Sequence, residues 1–212
     1  ICCKESHFPS WQAQYFSTKE IDRCHPCQIP KQLDNFMESL IFLHGQSFNS
    51  KKWEELGTLA LLSENGYRAI AIDLPGENKL SSTVETAQGR VAFLQQVFKE
   101  LGLQQPVLIS SSMSGRYSIP FLLASGEQLK GFVPIAPVGT KDFTTQQYQQ
   151  VKIPTLIIYG ERDTGLGTQS LQSLQQIPKS RVVMLLGAGH ACYLDKPQEF
   201  HKALLNFLGE LK

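Results

Sequence analysis

The sequence predicts an α/β fold in which a doubly wound, mostly parallel sheet carries helices on both faces. Two observations predict it. Short apolar runs rich in β-branched residues recur along the chain, and such runs are typical of strands buried on both faces. Segments with apolar residues at helical spacing separate these runs, an alternation that indicates βαβ units with right-handed crossovers. We expect this domain to span residues 37–212, after an irregular amino-terminal segment at residues 1–36.

The composition fits one compact domain and excludes several classes of partner. The chain has 212 residues, 42% of them hydrophobic, and a formal net charge of +1 with scattered Lys and Arg, which argues against nucleic acid or a membrane surface. No apolar run approaches the roughly 20 residues that span a bilayer. We therefore expect a cytoplasmic location that extends to the nucleus, and a membrane anchor only through a segment upstream of Ile1.

The amino-terminal segment shows no sustained strand or helix periodicity, but it holds a Cys-x-x-Cys pair at Cys24 and Cys27. This pair could bind zinc with Cys2, Cys3 or His7, or form a redox pair. Neither a second clean pair nor a strand-helix context accompanies it. We expect loosely ordered cysteines here and no metal site, and the odd total of five cysteines fits a reducing compartment better than a disulfide framework.

The first βαβ unit occupies residues 39–76. An uninterrupted apolar run that stops at His44-Gly45 predicts a buried strand ending in a loop at its carboxyl edge. Apolar residues at helical spacing predict a helix over residues 53–63, closed by Asn65-Gly66 as a C-cap. A second buried strand is expected over residues 67–72, closed by a polar and Gly-Pro-containing turn.

The remaining elements alternate in the same way. The pattern predicts helices over residues 82–101, 117–124 (despite Pro120) and 197–211, and strands over residues 107–111, 131–136, 155–160 and 181–186. Residues 137–154 leave room for about one short helix, so any lid over a site at this edge is small.

The third predicted strand turns into a helix with the pattern of a nucleophile elbow. A tight strand-to-helix turn requires small residues two positions before and two after the nucleophile. Ser112 meets this requirement, with Ser110 and Ser114 at the small positions. The other two serines fail it, because Leu108 lies two positions before Ser110 and Arg116 lies two positions after Ser114, and neither is small. A plain strand-to-helix turn remains the alternative for this stretch taken by itself.

Two more strand ends carry titratable side chains. Asp163 follows the strand at residues 155–160, and His190 follows the strand at residues 181–186. The carboxyl ends of parallel strands share one edge, so Ser112, Asp163 and His190 should meet there in the chain order of an α/β-hydrolase triad. The imidazole would accept the serine proton and return it, while the carboxylate would fix the tautomer. The sequence thus predicts an α/β-hydrolase fold with a minimal lid and a serine hydrolase working through an acyl-enzyme.

Other acids and a cysteine compete with these assignments. Asp73 would give the wrong chain order and is better interpreted as a turn residue, and Asp195 precedes Lys-Pro in a region suited to a helix N-cap. Glu161 lies two residues nearer the strand than Asp163 and should point elsewhere. Cys192 does not lie in a nucleophile-elbow pattern, and it is interpreted as a small buried side chain.

An oxyanion hole needs two backbone N–H donors near the nucleophile. The N–H of Met113, at the start of a helix, is the first candidate, and the N–H of Gln46 in the loop after the first strand is the second. Gly45 would allow close approach there, although a simple tight turn is the alternative.

Seven short stretches resemble the α/β-hydrolase domain-containing protein 14 family. They lie at residues 48–50, 53–59, 66–69, 72–76, 112–115, 131–137 and 187–194. The likeness covers residues 37–211 and is nearer to the A branch than to the B branch, mainly at residues 48–50 and 190–193. Two segments depart from the family pattern: residues 1–36, and residues 77–82, where a Gly-rich turn is usual.

The resemblance implies a small serine hydrolase with its triad at Ser112, Asp163 and His190. For the B branch it implies esterase activity on short acyl esters, transfer of acetyl from protein lysine to coenzyme A, and a general transcription initiation factor subunit as partner. For the A branch it implies a membrane anchor at the amino terminus. No resident cofactor is expected, since coenzyme A would enter only as acyl acceptor. The alternative is a non-catalytic protein of the same fold that serves as an interaction partner.

Overall fold

The computed structural model of the chain describes residues 38–75 and 85–212. Within them, six strands form one parallel sheet with the spatial order β2-β1-β3-β4-β5-β6. The strands are β1 (Ser39–Leu43), β2 (Arg68–Ile72), β3 (Val107–Ser111), β4 (Gly131–Ile135), β5 (Thr155–Gly160) and β6 (Ser180–Leu185). The α/β fold class and all six predicted strands are confirmed, each to within one residue at either end.

Helices connect consecutive strands and cover both faces of the sheet. They are α1 (Lys51–Glu55), α2 (Thr58–Glu64), α3 (Ala87–Glu100), α4 (Gly115–Ser125), α5 (Thr145–Gln149), α6 (Leu166–Leu174), α7 (Cys192–Asp195) and α8 (Pro197–Glu210). Helix α4 continues through Pro120, and α8 begins with proline in its first turn, as predicted.

Three helix predictions need correction. The single helix expected over residues 53–63 is two helices, because Gly57 adopts a left-handed conformation (φ 76°) that ends one and begins the next. Helix α3 starts at Ala87, where the Thr86 hydroxyl accepts the Gly89 N–H as an N-cap. Helix α6 was not predicted.

Two apolar cores lie on opposite faces of the sheet because side chains alternate along each strand. One core joins the strands to α1, α2, α7 and α8, and its large members include Leu40, Phe42, Trp53, Ile109, Ile158, Tyr193, Phe200 and Phe207. The other joins them to α3, α4, α5 and α6, with Ile41, Leu43, Leu94, Phe98, Leu108, Phe121, Tyr148 and Leu174. Burial on both faces explains the continuous apolar runs of the central strands.

The strand order reverses between β1 and β3. The chain leaves β1 for β2 on one side and then crosses back to place β3 on the other side, with Leu43 of β1 beside Ser110 of β3. In doubly wound sheets the crevice beyond the carboxyl ends at such a reversal is the usual ligand site. The elbow at the end of β3 opens onto this crevice.

Some predictions fall on segments that the structure leaves undescribed. The irregular segment at residues 1–36, the pair Cys24 and Cys27, and the departure at residues 77–82 lie outside the described residues. Among the residues that are described, every helix falls short of the length and apolar character needed to cross a bilayer.

Candidate active site

Ser112 occupies the strained turn between β3 and α4. Its φ angle is 51°, a left-handed conformation that is uncommon for a residue with a side chain and that clusters at functional sites. The turn is close-packed: the Val138 N–H donates to the Ser112 carbonyl at 2.9 Å, and a Cβ on Gly115 would lie 2.3 Å from the Val138 carbonyl oxygen. A glycine is therefore required at position 115. Ser110 and Ser114, at the predicted small positions, are completely buried.

The structure brings the three predicted triad side chains together. The Ser112 hydroxyl lies 2.8 Å from His190 Nε2, and the Asp163 carboxylate lies 2.6 Å from His190 Nδ1. A carboxylate only accepts, so the neutral imidazole carries its proton on Nδ1 and presents Nε2 to the serine hydroxyl. The Asp163 side chain is only 8% exposed, whereas that of His190 is 44% exposed. The acid is thus shielded from water while the base faces the solvent.

Two loops meet closely to place the acid beside the histidine. Gly160, at the end of β5, lies so near the histidine loop that a Cβ there would be 2.1 Å from the Gly189 carbonyl oxygen. The Arg162 N–H donates to the Ala188 carbonyl at 2.9 Å and fastens the two loops together. Gly167, in the first turn of α6, leaves room for the Asp163 side chain, whose atoms would lie 3.0 Å from a Cβ at that position.

The rival acids each support a loop. The Glu161 carboxylate accepts the Gly187 N–H at 2.8 Å, so it points away from the imidazole as predicted. The N-cap role expected for Asp195 is wrong: Lys196 precedes α8 without a side-chain cap, and the Asp195 carboxylate accepts the Gly189 N–H at 2.7 Å. That contact binds the residue just before His190.

The contacts of Asp73 and the burial of Cys192 also indicate structural roles for these two residues. The Asp73 carboxylate accepts the Ser50 N–H at 2.6 Å and so joins the loop after β2 to the loop after β1, a longer-range role than the turn predicted for it. Cys192 is fully buried, as predicted, and burial raises the pKa of its thiol to about 12. A thiol in that state is not a nucleophile near neutral pH.

The histidine loop rests on the aromatic part of the core. Tyr193, in α7, stacks on Trp53 with ring centroids 4.6 Å apart. Burial raises the pKa of the Tyr193 hydroxyl, and a hydrogen bond with the Ser111 side chain opposes that effect. Tyr193 thereby links the helix after His190 to the residue before Ser112. Neither the Tyr193 contact nor the Asp195 contact is visible in sequence periodicity.

The loop after β1 lies against the nucleophile. A Cβ on Gly45 would be 3.5 Å from Ser112 Cβ. His44 fixes this loop: its Nε2 accepts the Leu74 N–H at 2.9 Å, so Nδ1 carries the proton and donates to the Gly45 carbonyl at 2.8 Å. In a trans peptide the N–H of Gln46 then points to the side opposite that carbonyl. The oxyanion roles of Gln46 and Met113 stay predictions.

The role of His44 was missed by the sequence analysis, although its position directly before Gly45 was a usable signal. Over residues 38–75 and 85–212, no three His, Cys, Asp or Glu side chains gather in a way that could hold a metal ion.

No family model matches the chain, but individual relatives do. Protein ABHD14A of Danio rerio is 56% identical over 174 residues, which cover 81% of this chain and 64% of the relative. The human protein named "Putative protein-lysine deacylase ABHD14B" is 48% identical over 178 residues, covering 82% of this chain and 84% of that protein. The matched part of this chain thus spans less than two thirds of the zebrafish relative, and it is more similar to that A-branch protein than to the human B-branch protein.

A solved structure shares the fold. A protein of Thermoplasma acidophilum, described as a predicted CIB-like hydrolase, superimposes with a TM-score of 0.74 at 25% sequence identity, covering 81% of this chain and 86% of that chain. The α/β-hydrolase fold expected from the order of the triad residues is confirmed.

Proposed function

The chain belongs to the α/β-hydrolase domain-containing protein 14 family, on its A-like side, and on that premise we propose that it is a serine hydrolase acting on short acyl groups. The observation that carries this proposal is the continuous set of contacts from the Ser112 hydroxyl through His190 to the Asp163 carboxylate, at 2.8 Å and 2.6 Å. The left-handed conformation of Ser112 supports it, since such backbone strain clusters at functional sites.

The proposed reaction proceeds in two halves. Ser112 Oγ attacks the acyl carbonyl while its proton passes to His190 Nε2, and the buried Asp163 carboxylate stabilises the imidazolium. The oxyanion accepts hydrogen bonds from the N–H groups of Gln46 and Met113, each worth about 2.7 to 4 kcal/mol in the transition state. The imidazolium then gives its proton to the leaving group, and an acyl-serine ester remains. In the second half, water or another acceptor attacks that ester with His190 as base, and the hydroxyl of Ser112 is restored.

The surroundings of the site favour an acyl group at the end of a larger molecule. Between β4 and β5 lie only a single 3-10 turn (Thr140–Asp142) and the short α5, and the Tyr148 hydroxyl donates to the Thr140 carbonyl at 2.6 Å, which fixes this segment in place. Thr144 and Gln147 form a capping box at its start. Together with the exposure of the His190 ring, this small, fixed segment leaves access for a bulky substrate.

We further propose acetylated lysine in a protein as a substrate, with coenzyme A as an alternative acceptor to water. The name of the human relative supports the substrate class. A terminal acetamide on a flexible lysine stem is an acyl group of the required kind. Because coenzyme A would attack the same acyl-serine ester that water attacks, the two acceptors differ only in the product.

Activity-based labelling tests the proposal. A fluorophosphonate probe should label the wild-type protein and fail to label Ser112→Ala, whereas Ser63→Ala, at an exposed serine of α2, should be labelled like the wild type. Turnover of a short-chain aryl ester should fall by a factor of about 10⁶ in Ser112→Ala. Retained labelling of Ser112→Ala in a folded protein would overturn the assignment.

A second arm identifies the acceptor and addresses the alternative class. The wild type is incubated with an acetyl-lysine peptide, with and without coenzyme A, and acetate and acetyl-coenzyme A are measured. Acetyl-coenzyme A as product would establish transfer, and acetate alone would establish hydrolysis. A protein that shows no labelling and no turnover of any acyl substrate would instead belong to the non-catalytic class.

A further inference from the structure

Three buried serine hydroxyls lie directly beneath the elbow. Ser110 Oγ is 2.6 Å from Ser118 Oγ and 2.9 Å from Ser114 Oγ, and Ser114 Oγ is 2.8 Å from the Ser111 carbonyl oxygen. None of the three serines, Ser110, Ser114 and Ser118, has any exposed surface. We call these three residues the serine relay. It connects the interior of α4 to the peptide bond that precedes Ser112.

The direction of every hydrogen bond in the relay follows from counting protons. Each serine hydroxyl has one hydrogen, and a carbonyl oxygen can only accept. Ser114 must therefore donate to the Ser111 carbonyl, which leaves its oxygen to accept from Ser110. Ser110 has then used its own hydrogen, so its contact with Ser118 requires Ser118 to donate. The single consistent direction runs from Ser118 through Ser110 and Ser114 to the Ser111 carbonyl.

The last hydrogen bond of the relay, to the Ser111 carbonyl, fixes the peptide plane that precedes Ser112. The Ser111 carbonyl belongs to the peptide plane directly before the N–Cα bond of Ser112, the bond about which φ is 51°. On the other side, the Ser112 carbonyl accepts the Val138 N–H at 2.9 Å. With both flanking peptide planes held by hydrogen bonds, the left-handed conformation of Ser112 is maintained, and its hydroxyl stays within 2.8 Å of His190 Nε2.

We propose that Ser110, Ser114 and Ser118 are positioning residues that hold Ser112 in its attacking conformation through this directed relay. The inference rests on the proposed serine hydrolase function and extends it to residues that do not touch substrate. Packing alone does not account for the three hydroxyls. Alanine would occupy nearly the same volume without the desolvation of a buried polar group, so the hydroxyls need a compensating role in hydrogen bonding.

The directed relay predicts a graded response to three identical substitutions. Ser114→Ala removes the bond to the Ser111 carbonyl and should lower kcat by roughly ten- to a hundredfold, the range expected when a reacting group is displaced by up to about 1 Å. Ser110→Ala leaves the Ser114 bond without support and should have a smaller effect. Ser118→Ala removes only the first donor and should have the smallest. KM should change little in all three.

The graded order separates positioning from packing. All three substitutions delete one oxygen atom from a fully buried site, so a packing role predicts activity losses that follow the losses of stability instead of the order of the relay. The double variant Ser110→Ala/Ser114→Ala should be no slower than Ser114→Ala, because the two residues act in one path. Thr155→Val removes a buried hydroxyl at the amino end of β5, the opposite edge of the sheet, and serves as the control with wild-type kcat.

The experiment measures kcat and KM on a short-chain aryl ester, the second-order rate of fluorophosphonate labelling, and the thermal unfolding midpoint of each variant. The proposal is supported if kcat and labelling fall in the order given while folded protein is recovered. It is overturned if Ser114→Ala labels and turns over like Thr155→Val, or if all three variants lose activity in proportion to stability. An unlabelled, inactive wild type would remove the serine hydrolase function itself, and with it the relay.

Discussion

Replacing Gly160 with alanine should separate the acid from the imidazole, because the loops that carry them touch at this glycine. A Cβ at this position would lie 2.1 Å from the Gly189 carbonyl oxygen, whereas real Cβ contacts essentially never fall below 3.0 Å. The histidine loop must therefore retreat by about 0.9 Å. The obstructing atoms belong to the backbone and cannot rotate away. If the whole shift lay along the contact of His190 with Asp163, its 2.6 Å would become about 3.5 Å, beyond hydrogen-bonding distance.

The expected loss follows from that displacement. A misplacement of about 1 Å typically lowers kcat/KM roughly 10²-fold, and overpacking against backbone costs about 1–3 kcal/mol of unfolding free energy. Gly209→Ala is the matched control, because nothing lies within 4 Å of a Cβ there and alanine favours a helix by about 1 kcal/mol. Ester turnover and urea unfolding of both variants provide the two readouts. If Gly160→Ala matched Gly209→Ala in both, the close approach of the loops would not be what places the triad.

Three further outcomes are expected. Burial lowers the pKa of His201, whose Nε2 lies 2.8 Å from the Thr58 hydroxyl. Below pH 6.5 the unfolded chain therefore binds more protons than the folded chain, and the unfolding free energy should fall as the pH drops through that value. Urea titrations from pH 8 to 5 should show a flatter pH dependence of the unfolding free energy in His201→Gln than in the wild type. The Cys192 thiol, with its pKa raised to about 12, should resist iodoacetamide at pH 7 until the protein is denatured, as peptide mapping would show. Asp195→Ala should lower kcat more than Asp195→Asn, because only the amide can still accept the Gly189 N–H.

Much of the fold could be predicted because its central strands are buried on both faces. A strand such as β3 (Val107–Ser111) lies between two helical layers, and its apolar run therefore appears without interruption in the sequence. Helix α6 (Leu166–Leu174) escaped prediction for the opposite reason. Its residues are mostly Gly, Ser, Gln and Thr, and only Leu171 and Leu174 pack on the core, while the small residues Gly167 and Ser170 supply the rest of its buried face. Its first turn packs on Asp163, which lies only four residues before Gly167, and this contact requires a small residue instead of an apolar one.

The same distinction applies to the candidate site. The positions of Ser112, Asp163 and His190 could be predicted because each follows a strand, and strand ends of a parallel sheet share an edge. The supports behind them could not be predicted, because they depend on the way each side chain turns and not on its spacing from a strand. The carboxylate of Asp195 on the Gly189 N–H and the ring of His44 on the Gly45 carbonyl depend on side-chain orientation. Sequence spacing constrains where the backbone of a residue lies, but not the direction in which its polar side-chain atoms point.

Within residues 38–75 and 85–212, the distribution of burial indicates how the proposed site would work beside the small segment between β4 and β5. Lids usually exclude water and complete the catalytic geometry when substrate binds. Here the His190 ring is 44% exposed, yet the groups behind the reacting atoms are buried: the Asp163 side chain is 8% exposed, and Ser110 and Ser114 are not exposed at all. A site whose catalytic geometry is held by buried groups does not need a lid to complete that geometry. On the proposed function, an open mouth would admit a substrate too bulky to enclose, and it would also let the solvent or a second acceptor reach the proposed acyl-serine.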